Sequence, residues 1–349
     1  MSRYPLPMPY GWFQICWPED LPAGSTLPLY YFDRHLVAWR DDDGGAHLMD
    51  AFCPHMGTHL GYGARVEGCT LTCPLHAWKY DAEGHNIDVP YSDKVNRAAK
   101  IRTYPVCEVN GLTMAWYHPM DLAPEWELPE LEAFAGSDGF GAPVHKQYKV
   151  KTHWQEIAET NVDAAHVQAH LTRYERELND GKAEPIGPPQ VESFEVDGPV
   201  THMRFVQRFP TPWGNMDGLL ATDSYGPGMA CTLFSGVIDT FLLGCAIPVD
   251  GETTEVRFTF SVKALDDAEA TRSVGEAFAE EIHTQTVKDM PIWENKAYLP
   301  TPRLSKDDGP IMQFRRWAEQ FYAEGVQDGP QVWAPGPPAG PAEPQPALI

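Results

Sequence analysis

Two short cysteine–histidine motifs lie close together in the first quarter of the chain, Cys53-Pro54-His55 and Cys73-Pro74-Leu75-His76. Two thiols and two imidazoles in paired loops predict a metal site. One candidate is a [2Fe–2S] cluster with cysteines on one iron and neutral histidines on the other, which raises the reduction potential. A structural zinc ion also accepts these ligands, but zinc fingers usually place both cysteines before both histidines. The order here, Cys, His, Cys, His, favours the cluster.

The two loops closely resemble those of Rieske iron–sulfur proteins over Cys53–Gly57 and Cys73–Trp78. High-potential Rieske proteins carry an additional cysteine in each loop, and these two cysteines form a disulfide. This chain has Thr58 and Leu75 at those positions, and Cys69 replaces neither. The resemblance therefore implies the low-potential branch, which supplies electrons to oxygenases.

A second candidate metal motif lies in the segment Lys151–Leu171, which contains no proline or glycine and predicts one helix. His166 and His170 are four residues apart, so they share a helix face and can bind one ion. Asp163 lies three residues before His166 on the same side. Two histidines with a carboxylate predict the facial triad of non-haem Fe(II) enzymes, which leaves coordination positions open for O₂.

This segment resembles the D-x-x-H-x-x-x-x-H motif of Rieske non-haem iron oxygenases. His166 matches the first histidine, and His170 is the candidate second ligand, although three residues separate the histidines here where the family usually has four. In the family, the counterpart of Asp163 bridges the iron site to a cluster histidine of the neighbouring subunit. His76 matches that histidine. The resemblance therefore implies a catalytic role for Asp163 and a homotrimer.

The third iron ligand is expected further along the chain. Lys288–Lys296 resembles the segment around the ligand aspartate in one branch of the family, which makes Asp289 the expected ligand. Glu294 and Glu281 are the alternative ligands. The alternative role for Asp289 is that of an exposed acid at a helix end that binds no metal. Pro291 is expected to end the helix just beyond Asp289.

The bulk composition limits the partners of the chain. At 349 residues it is long enough for two domains. Its 26 Lys and Arg against 49 Asp and Glu give a formal charge of −23, which disfavours nucleic acid and anionic lipid. No apolar run approaches a membrane span, and the N-terminus lacks a signal-peptide core. The remaining cysteines show no disulfide framework, so we expect reduced thiols and a cytoplasmic protein.

Four segments are predicted along the chain: an all-β domain (1–118), a linker rich in proline and glycine (119–145), a second domain (146–324) and a disordered tail (325–349). The predicted elements of the first domain are a hairpin turn at Asp41–Gly45 and strands at Leu27–Phe32, His35–Arg40, Ala46–Phe52 and Leu112–Trp116. Those of the second domain are antiparallel strands over Gln190–Val262 and helices over Asp266–Lys288 and Ile311–Ala323.

The resemblance extends from about Gly11 to Tyr322. Val89–Ser92, Asp308-Gly309-Pro310 and Arg315–Tyr322 look like the steroid-acting branch, which includes 3-ketosteroid 9α-hydroxylases and cholesterol 7-desaturases. It implies an α+β protein, in which an all-β Rieske domain precedes a helix-grip catalytic domain whose antiparallel sheet wraps a long helix.

The implied activity is O₂-dependent hydroxylation of a steroid-like or other apolar polycyclic substrate at a mononuclear Fe(II). Trp213, Phe234, Phe241 and Leu242 are candidates to line an apolar pocket or to fill the core. The chain has no G-x-G-x-x-G signature, so NAD(P)H electrons must arrive through a separate ferredoxin-type reductase, with or without a ferredoxin. The alternatives are a desaturase or oxidative demethylase of the same family, and a Rieske protein that only transfers electrons.

Overall fold

A computed structural model describes residues 3–136, 139–170, 187–211, 214–236 and 238–323 of the chain. These residues form two compact units. The smaller unit is Cys16–Cys107, and the larger unit comprises the described residues before Cys16 and from Glu108 onward. The predicted tail and Trp213 lie outside the described residues, and the predicted domain boundaries stay predictions.

Up to residue 117 the described chain consists of short strands joined by turns. They are β1 (Gly11–Cys16), β2 (Thr26–Tyr31), β3 (Arg34–Arg40), β4 (Ala46–Asp50), β5 (Arg65–Val66), β6 (Leu71–Thr72), β7 (Lys79–Tyr80), β8 (Asn86–Asp88), β9 (Thr103–Tyr104), β10 (Val106–Val109) and β11 (Leu112–Tyr117). The predicted strands in this region are confirmed apart from their end residues. The predicted hairpin turn is also confirmed, since the Asp41 amide donates to the Gly45 carbonyl at 2.9 Å.

The smaller unit contains two four-stranded antiparallel sheets, in the orders β2-β3-β4-β9 and β5-β6-β7-β8. A buried apolar cluster that includes Trp39, Leu60 and Tyr80 lies between short strands, and Cys53 and Cys73 belong to it. The two cysteine motifs are therefore anchored in the core, while the residues that follow each cysteine reach the surface.

The larger unit is built on a seven-stranded antiparallel sheet in the order β12-β18-β17-β16-β15-β14-β13. Its strands are β12 (Val144–Val150), β13 (Gln190–Asp197), β14 (Val200–Thr211), β15 (Gly214–Tyr225), β16 (Met229–Phe234), β17 (Thr240–Asp250) and β18 (Thr253–Val262). The helices are α1 (Trp154–Ala158), α2 (residues 164–170), α3 (Ala268–Glu294) and α4 (Ile311–Ala318).

The long helix α3 packs on the sheet through aromatic side chains. The Phe278 ring lies 5.2 Å from that of Phe234 and 5.6 Å from that of Phe260, measured between centroids. On the edge strand β12, the Tyr148 hydroxyl lies 2.9 Å from His283 Nδ1. Large aromatic rings bury much area at each contact, which fixes the helix on the sheet. The expected α+β class with a sheet over a long helix is confirmed.

The prediction of one continuous helix over Lys151–Leu171 is wrong. Helix α1 ends in a 3₁₀ turn at Glu159–Asn161, and a new helix begins after Asp163. The Asp163 carboxylate accepts the His166 backbone N–H at 3.1 Å, as an N-cap residue does. Aspartate favours such caps over helix interiors because its short side chain competes for backbone donors.

The loop that precedes α4 contacts the chain at this break in the helix. Gly309 has φ +90°, and a Cβ built on it would lie 2.3 Å from the Val162 carbonyl oxygen, far inside van der Waals contact. Only glycine permits that backbone conformation and that approach together. The loop before α4 therefore holds the segment just ahead of Asp163.

The prediction that Pro291 ends the long helix is also wrong, because α3 runs through Pro291 to Glu294. Proline removes one helical donor, but the turn beyond it is held by other contacts. Trp293 is buried, and the Asn295 side-chain amide donates to the Pro291 carbonyl at 2.8 Å. The helix begins at Ala268, where the Asp267 carboxylate caps it.

Helix α4 is shorter than the predicted Ile311–Ala323, because a 3₁₀ turn follows it at Glu319–Phe321. Its Arg315 guanidinium forms a bidentate ion pair with the Glu159 carboxylate, with Nε–Oε1 at 2.8 Å and Nη2–Oε2 at 2.9 Å. Both side chains are buried. Removing one partner of a buried pair costs about 3–5 kcal/mol. This pair therefore ties α4 to the segment that leads into the second metal motif.

Candidate metal centres

The two cysteine loops have the same local conformation. In the first loop, the Cys53 N–H donates to the Thr58 carbonyl at 2.9 Å, and the Gly57 N–H donates to the Cys53 carbonyl at 2.8 Å. The fourth residue after the cysteine, Gly57, has φ +75°.

The second loop repeats this pattern. The Cys73 N–H donates to the Trp78 carbonyl at 2.8 Å, and the Ala77 N–H donates to the Cys73 carbonyl at 3.0 Å. Ala77 has φ +56°, in a region that costs a residue with a Cβ about 1 kcal/mol or more. This strained conformation at Ala77 gives the second loop the same backbone path as the first.

The ligand atoms of the two loops fit a metal cluster. Nδ1 of His55 and Nδ1 of His76 are buried and have no hydrogen-bond partner among the described residues. Buried polar atoms without a partner are rare in proteins unless an ion or water satisfies them. Burial raises the pKa of the Cys53 thiol, and the adjacent Cys73 sulfur raises it further, so two thiolates need a cation between them. The donor set therefore suits the predicted cluster.

Aromatic side chains orient the first loop. The His55 ring stacks on Trp78 at 4.2 Å and 9° and meets the His76 ring edge-on at 4.6 Å. The Trp78 indole N–H donates to the Tyr91 hydroxyl at 2.7 Å. The Tyr80 hydroxyl lies 3.1 Å from Cys53 Sγ. Hydrogen bonds to sulfur raise the potential of iron–sulfur centres, so Tyr80 would tune a cluster held by Cys53.

The second motif brings His166, His170 and Asp289 together. His166 Nε2 lies 3.1 Å and His170 Nε2 lies 2.8 Å from the same oxygen, Asp289 Oδ2. The two ring nitrogens are 3.1 Å apart. Three ligand atoms thus surround one point, with His170 and Asp289 buried and His166 partly exposed. The spacing of three residues between the histidines is compatible with this geometry, because α2 is regular there.

The electrostatics of this triad also suit a cation. Burial opposes ionisation of Asp289, but hydrogen bonds from His166 and His170 lower the pKa of its carboxyl to about 2. An ionised carboxylate beside two imidazole nitrogens is the donor set that non-haem Fe(II) takes. The alternatives Glu281 and Glu294 do not join the group. Glu281 accepts from Gln285 Nε2 at 2.9 Å, and Glu294 accepts from the Lys151 N–H at 3.3 Å.

A cavity of about 340 Å³ contains the triad. Its other walls are of mixed polarity, and their polar residues include Glu156, Glu159, Thr160 and Asp163. The buried Glu156 carboxylate pairs with Lys296, whose side chain is partly exposed. The volume lies within the range of about 300–1,000 Å³ typical of ligand sites, so the triad is accessible to small molecules.

Asp163 lines this cavity but is not one of the three converging ligands. Burial raises the pKa of its carboxyl, and the charge of Asp308 adds to this effect, while the His166 amide opposes it. One Asp163 oxygen caps α2, the helix that carries both histidines. A change at Asp163 would therefore also affect the start of α2, the helix that carries both histidines.

A second, smaller cavity of about 110 Å³ lies between α1 and the sheet. Its lining is mostly apolar and includes Ile157, Leu242 and Phe258. Thr160 and Trp293 line both cavities, so they stand between the apolar space and the triad. Of the predicted apolar-pocket residues in the described chain, Leu242 lines this cavity.

The other two predicted pocket residues are partly buried and do not line this cavity. Phe234 packs against Phe278, and Phe241 packs against Phe140 at 5.5 Å between ring centroids.

The roles of three residues that support the two candidate sites were not identified from the sequence. Tyr80 carried no local signal, and the roles of Gly309 and Arg315 lay within motifs that were identified only by resemblance.

Comparison with known proteins assigns the chain to a family. The sequence profile of the 3-ketosteroid 9α-hydroxylase C-terminal domain matches residues 115–322, more than half of the chain, and that of the Rieske [2Fe–2S] domain matches residues 11–105. The chain belongs to the 3-ketosteroid 9α-hydroxylase family of Rieske oxygenases. Members of this family are oxidoreductases, and the Rieske domain implies a Rieske cluster.

Two relatives are equally similar to this Rieske oxygenase. Cholesterol 7-desaturase nvd 1 of Ciona intestinalis is 30% identical over 92% of this chain and 70% of its own length. The oxygenase component of a 3-ketosteroid-9-alpha-monooxygenase of Rhodococcus rhodochrous is 30% identical over 91% of this chain and 82% of its own.

Solved structures share the fold. Apo dicamba monooxygenase has a TM-score of 0.67 at 18% identity, covering 89% of this chain and 96% of that one. NdmA of Pseudomonas putida with caffeine has a TM-score of 0.69 at 22% identity, covering 88% and 89%. In the described part of the Rieske oxygenase, no helix is long and apolar enough to cross a bilayer.

The cluster ligands can be tested by substitution. We expect purified protein to be red-brown and to give a rhombic [2Fe–2S] signal by electron paramagnetic resonance after reduction. Cys53→Ser should abolish that signal and His76→Cys should alter it, because each replaces an iron ligand. Cys107→Ser, outside the loops, is the control and should leave it unchanged. A colourless protein with stoichiometric zinc would contradict this assignment.

The triad can be tested by iron content. Wild-type protein should hold three irons per chain, and His166→Ala should hold two, with no turnover and an intact Rieske spectrum. His170→Ala and Asp289→Asn should behave alike. Glu281→Gln, a carboxylate change on the same helix, should retain the third iron. Full iron content and activity in His170→Ala would show that the ligand set is wrong.

Proposed function

We propose that the chain is the terminal oxygenase component of a multi-component monooxygenase that hydroxylates a steroid-like, apolar polycyclic substrate. The observation that carries this proposal is the convergence of His166, His170 and Asp289 beside an apolar cavity. In this scheme Cys53, His55, Cys73 and His76 would hold the [2Fe–2S] cluster. The bound metals supply electron transfer at the cluster and O₂ activation at the mononuclear Fe(II).

In this proposal, some residues of the chain hold the metal and others contact the substrate. Asp289 and the two histidines would hold the metal in the wall of the cavity of about 340 Å³, where it would supply O₂ activation. The apolar lining of the smaller cavity, around Leu242 and Phe258, suits a hydrocarbon skeleton. Because that cavity is smaller than typical ligand sites, a polycyclic substrate requires its walls to move. Thr160 and Trp293 line both cavities, so their side chains must move to let a substrate extend from one cavity into the other.

The overall reaction needs electrons from outside the chain. One oxygen atom of O₂ enters a substrate C–H bond, and the other leaves as water after two electrons and two protons are added. We infer that NAD(P)H supplies the electrons through a separate ferredoxin-type reductase, with or without a ferredoxin. Met56 and Leu75, beside the two cluster histidines, are 68% and 56% exposed. Such apolar side chains at a redox centre suit transient docking of a protein partner.

The acidic charge of the chain disfavours binding to nucleic acid and to anionic lipid, and cysteines without a disulfide framework favour a cytosolic protein. A desaturase is the second candidate, since the cholesterol 7-desaturase relative is as similar as the monooxygenase relative. The two activities use the same metals and differ in the product, an alcohol or an alkene.

Substrate class can be tested with a panel of compounds. Reduced protein incubated with steroids under ¹⁸O₂ should yield products with one labelled oxygen by mass spectrometry. Dicamba and caffeine, the ligands of the fold neighbours, form the comparison panel and should not be converted. His166→Ala should give no product with either panel. Products that lack two hydrogens and carry no label would establish the desaturase, and conversion of only the comparison panel would refute the steroid proposal.

Asp163 tests the proposed trimer, in which it would bridge the iron site to His76 of the neighbouring subunit. Asp163→Asn should keep both metals, because asparagine is an equally good helix cap. The lost charge and altered donor pattern should slow electron transfer between the metals by about 10- to 100-fold or more. Rapid-mixing single-turnover spectroscopy measures this rate, and Asp307→Asn is the exposed control. A fully active monomer, or a normal rate in Asp163→Asn, would refute the bridge.

A further inference from the structure

A third group of potential metal ligands lies in the smaller unit, outside the two cysteine–histidine loops. Asp41 and His47 belong to the β3–β4 hairpin, and Cys69 lies in the turn between β5 and β6. One ligand atom from each lies within 4.8 Å of the other two. Asp41 Oδ2 is 2.8 Å and Cys69 Sγ is 3.8 Å from the same nitrogen, His47 Nε2.

The distances between these atoms can be compared with those of a tetrahedral zinc site. Nitrogen and oxygen ligands at about 2.0–2.1 Å from such an ion lie about 3.4 Å apart. Asp41 Oδ2 and His47 Nε2 are hydrogen-bonded at 2.8 Å, so binding of the ion separates them by about 0.6 Å. Sulfur ligands lie further from a metal, at about 2.3 Å from zinc against about 2.0–2.1 Å for nitrogen. A tetrahedral zinc site therefore places sulfur and nitrogen about 3.6 Å apart. The separation between Cys69 and His47 is close to that value.

Local contacts hold the first two ligands in place. Asp41 Oδ1 accepts the backbone N–H of Asp43 at 3.0 Å and of Gly45 at 2.7 Å, which leaves Oδ2 directed at His47. Despite its burial, hydrogen bonds from His47 and Gly45 lower the pKa of Asp41, so this ligand is ionised. The His47 ring stacks on Trp39 at 4.2 Å. The carboxylate and the imidazole are thus preorganised by the hairpin.

The turn that carries Cys69 is fastened to the same hairpin. The Gly68 N–H donates to Asp42 Oδ2 at 2.6 Å, and the Asp42 N–H donates to the Gly68 carbonyl at 3.4 Å. Burial and the charges of Asp41 and Glu83 raise the pKa of the Cys69 thiol. A raised pKa disfavours a redox-sensing thiolate, whereas a bound dication offsets the same negative charges and deprotonates the thiol.

We propose that Asp41, His47 and Cys69 bind a zinc ion, with water at the fourth position. One thiolate, one imidazole and one carboxylate form a donor set that suits zinc, and the exposed position of Cys69 leaves room for the water. The ion cross-links the β3–β4 turn to the β5–β6 turn. Since Cys69 precedes Cys73 by four residues, the cross-link anchors the chain just before the second cysteine–histidine loop.

X-ray absorption at the zinc edge tests this site without interference from iron. Iron-loaded protein is given one equivalent of zinc, desalted and measured. We expect one sulfur neighbour at about 2.3 Å together with nitrogen and oxygen neighbours. The iron triad contains no sulfur, so zinc that has displaced iron there would show only nitrogen and oxygen. That result in wild-type protein would overturn the proposal.

Two variants identify the ligands. Cys69→Ser should remove the sulfur neighbour and weaken zinc binding at least about 100-fold, since even the partners of metal ligands contribute about 10- to 100-fold. His47→Gln should weaken binding similarly but keep the sulfur. Cys107→Ser is the matched control and should bind zinc like wild type, and the Rieske visible spectrum checks folding. Unchanged sulfur coordination in Cys69→Ser would refute the assignment whatever the behaviour of His47→Gln.

Discussion

One carboxylate oxygen, Asp289 Oδ2, accepts hydrogen bonds from two histidines on another helix, and the larger unit is organised around that convergence. The histidines come from a helix that begins only at residue 164, and Asp289 lies near the end of the long helix α3. The helices must therefore be fixed relative to each other to within a fraction of an ångström. The seven-stranded sheet, on which α3 packs through Phe278, supplies that rigidity.

Motifs with short spacing could be predicted well from the sequence. His166 and His170 lie on one turn, so any helix brings them together, and each cysteine loop closes on itself within six residues. Asp289 needed a family resemblance, because 119 residues separate it from His170 and no local pattern distinguishes it from Glu281 or Glu294. Strands and the hairpin turn followed from alternation and glycine, which are local signals as well.

The errors have a common physical cause, since tertiary contacts overrode local propensity. Residues 151–171 have helical composition, yet the chain breaks where the Asp163 side chain competes for a backbone donor. Pro291 favours a helix end, yet the packing of Trp293 carries α3 past it. The buried pair of Glu159 and Arg315 joins residues 156 positions apart, so no pattern in the sequence could reveal it.

Gly309 shows how a residue remote in sequence from every metal ligand can limit what the protein tolerates. Its missing side chain lets the loop before α4 lie against the Val162 carbonyl, directly ahead of the cap that starts the ligand helix. Any larger residue there must displace either the loop or the start of that helix. In protein engineering, the loop before α4 is therefore a fixed support rather than a surface free for redesign. Substitution of Gly309 is expected to disturb the helix that carries His166 and His170.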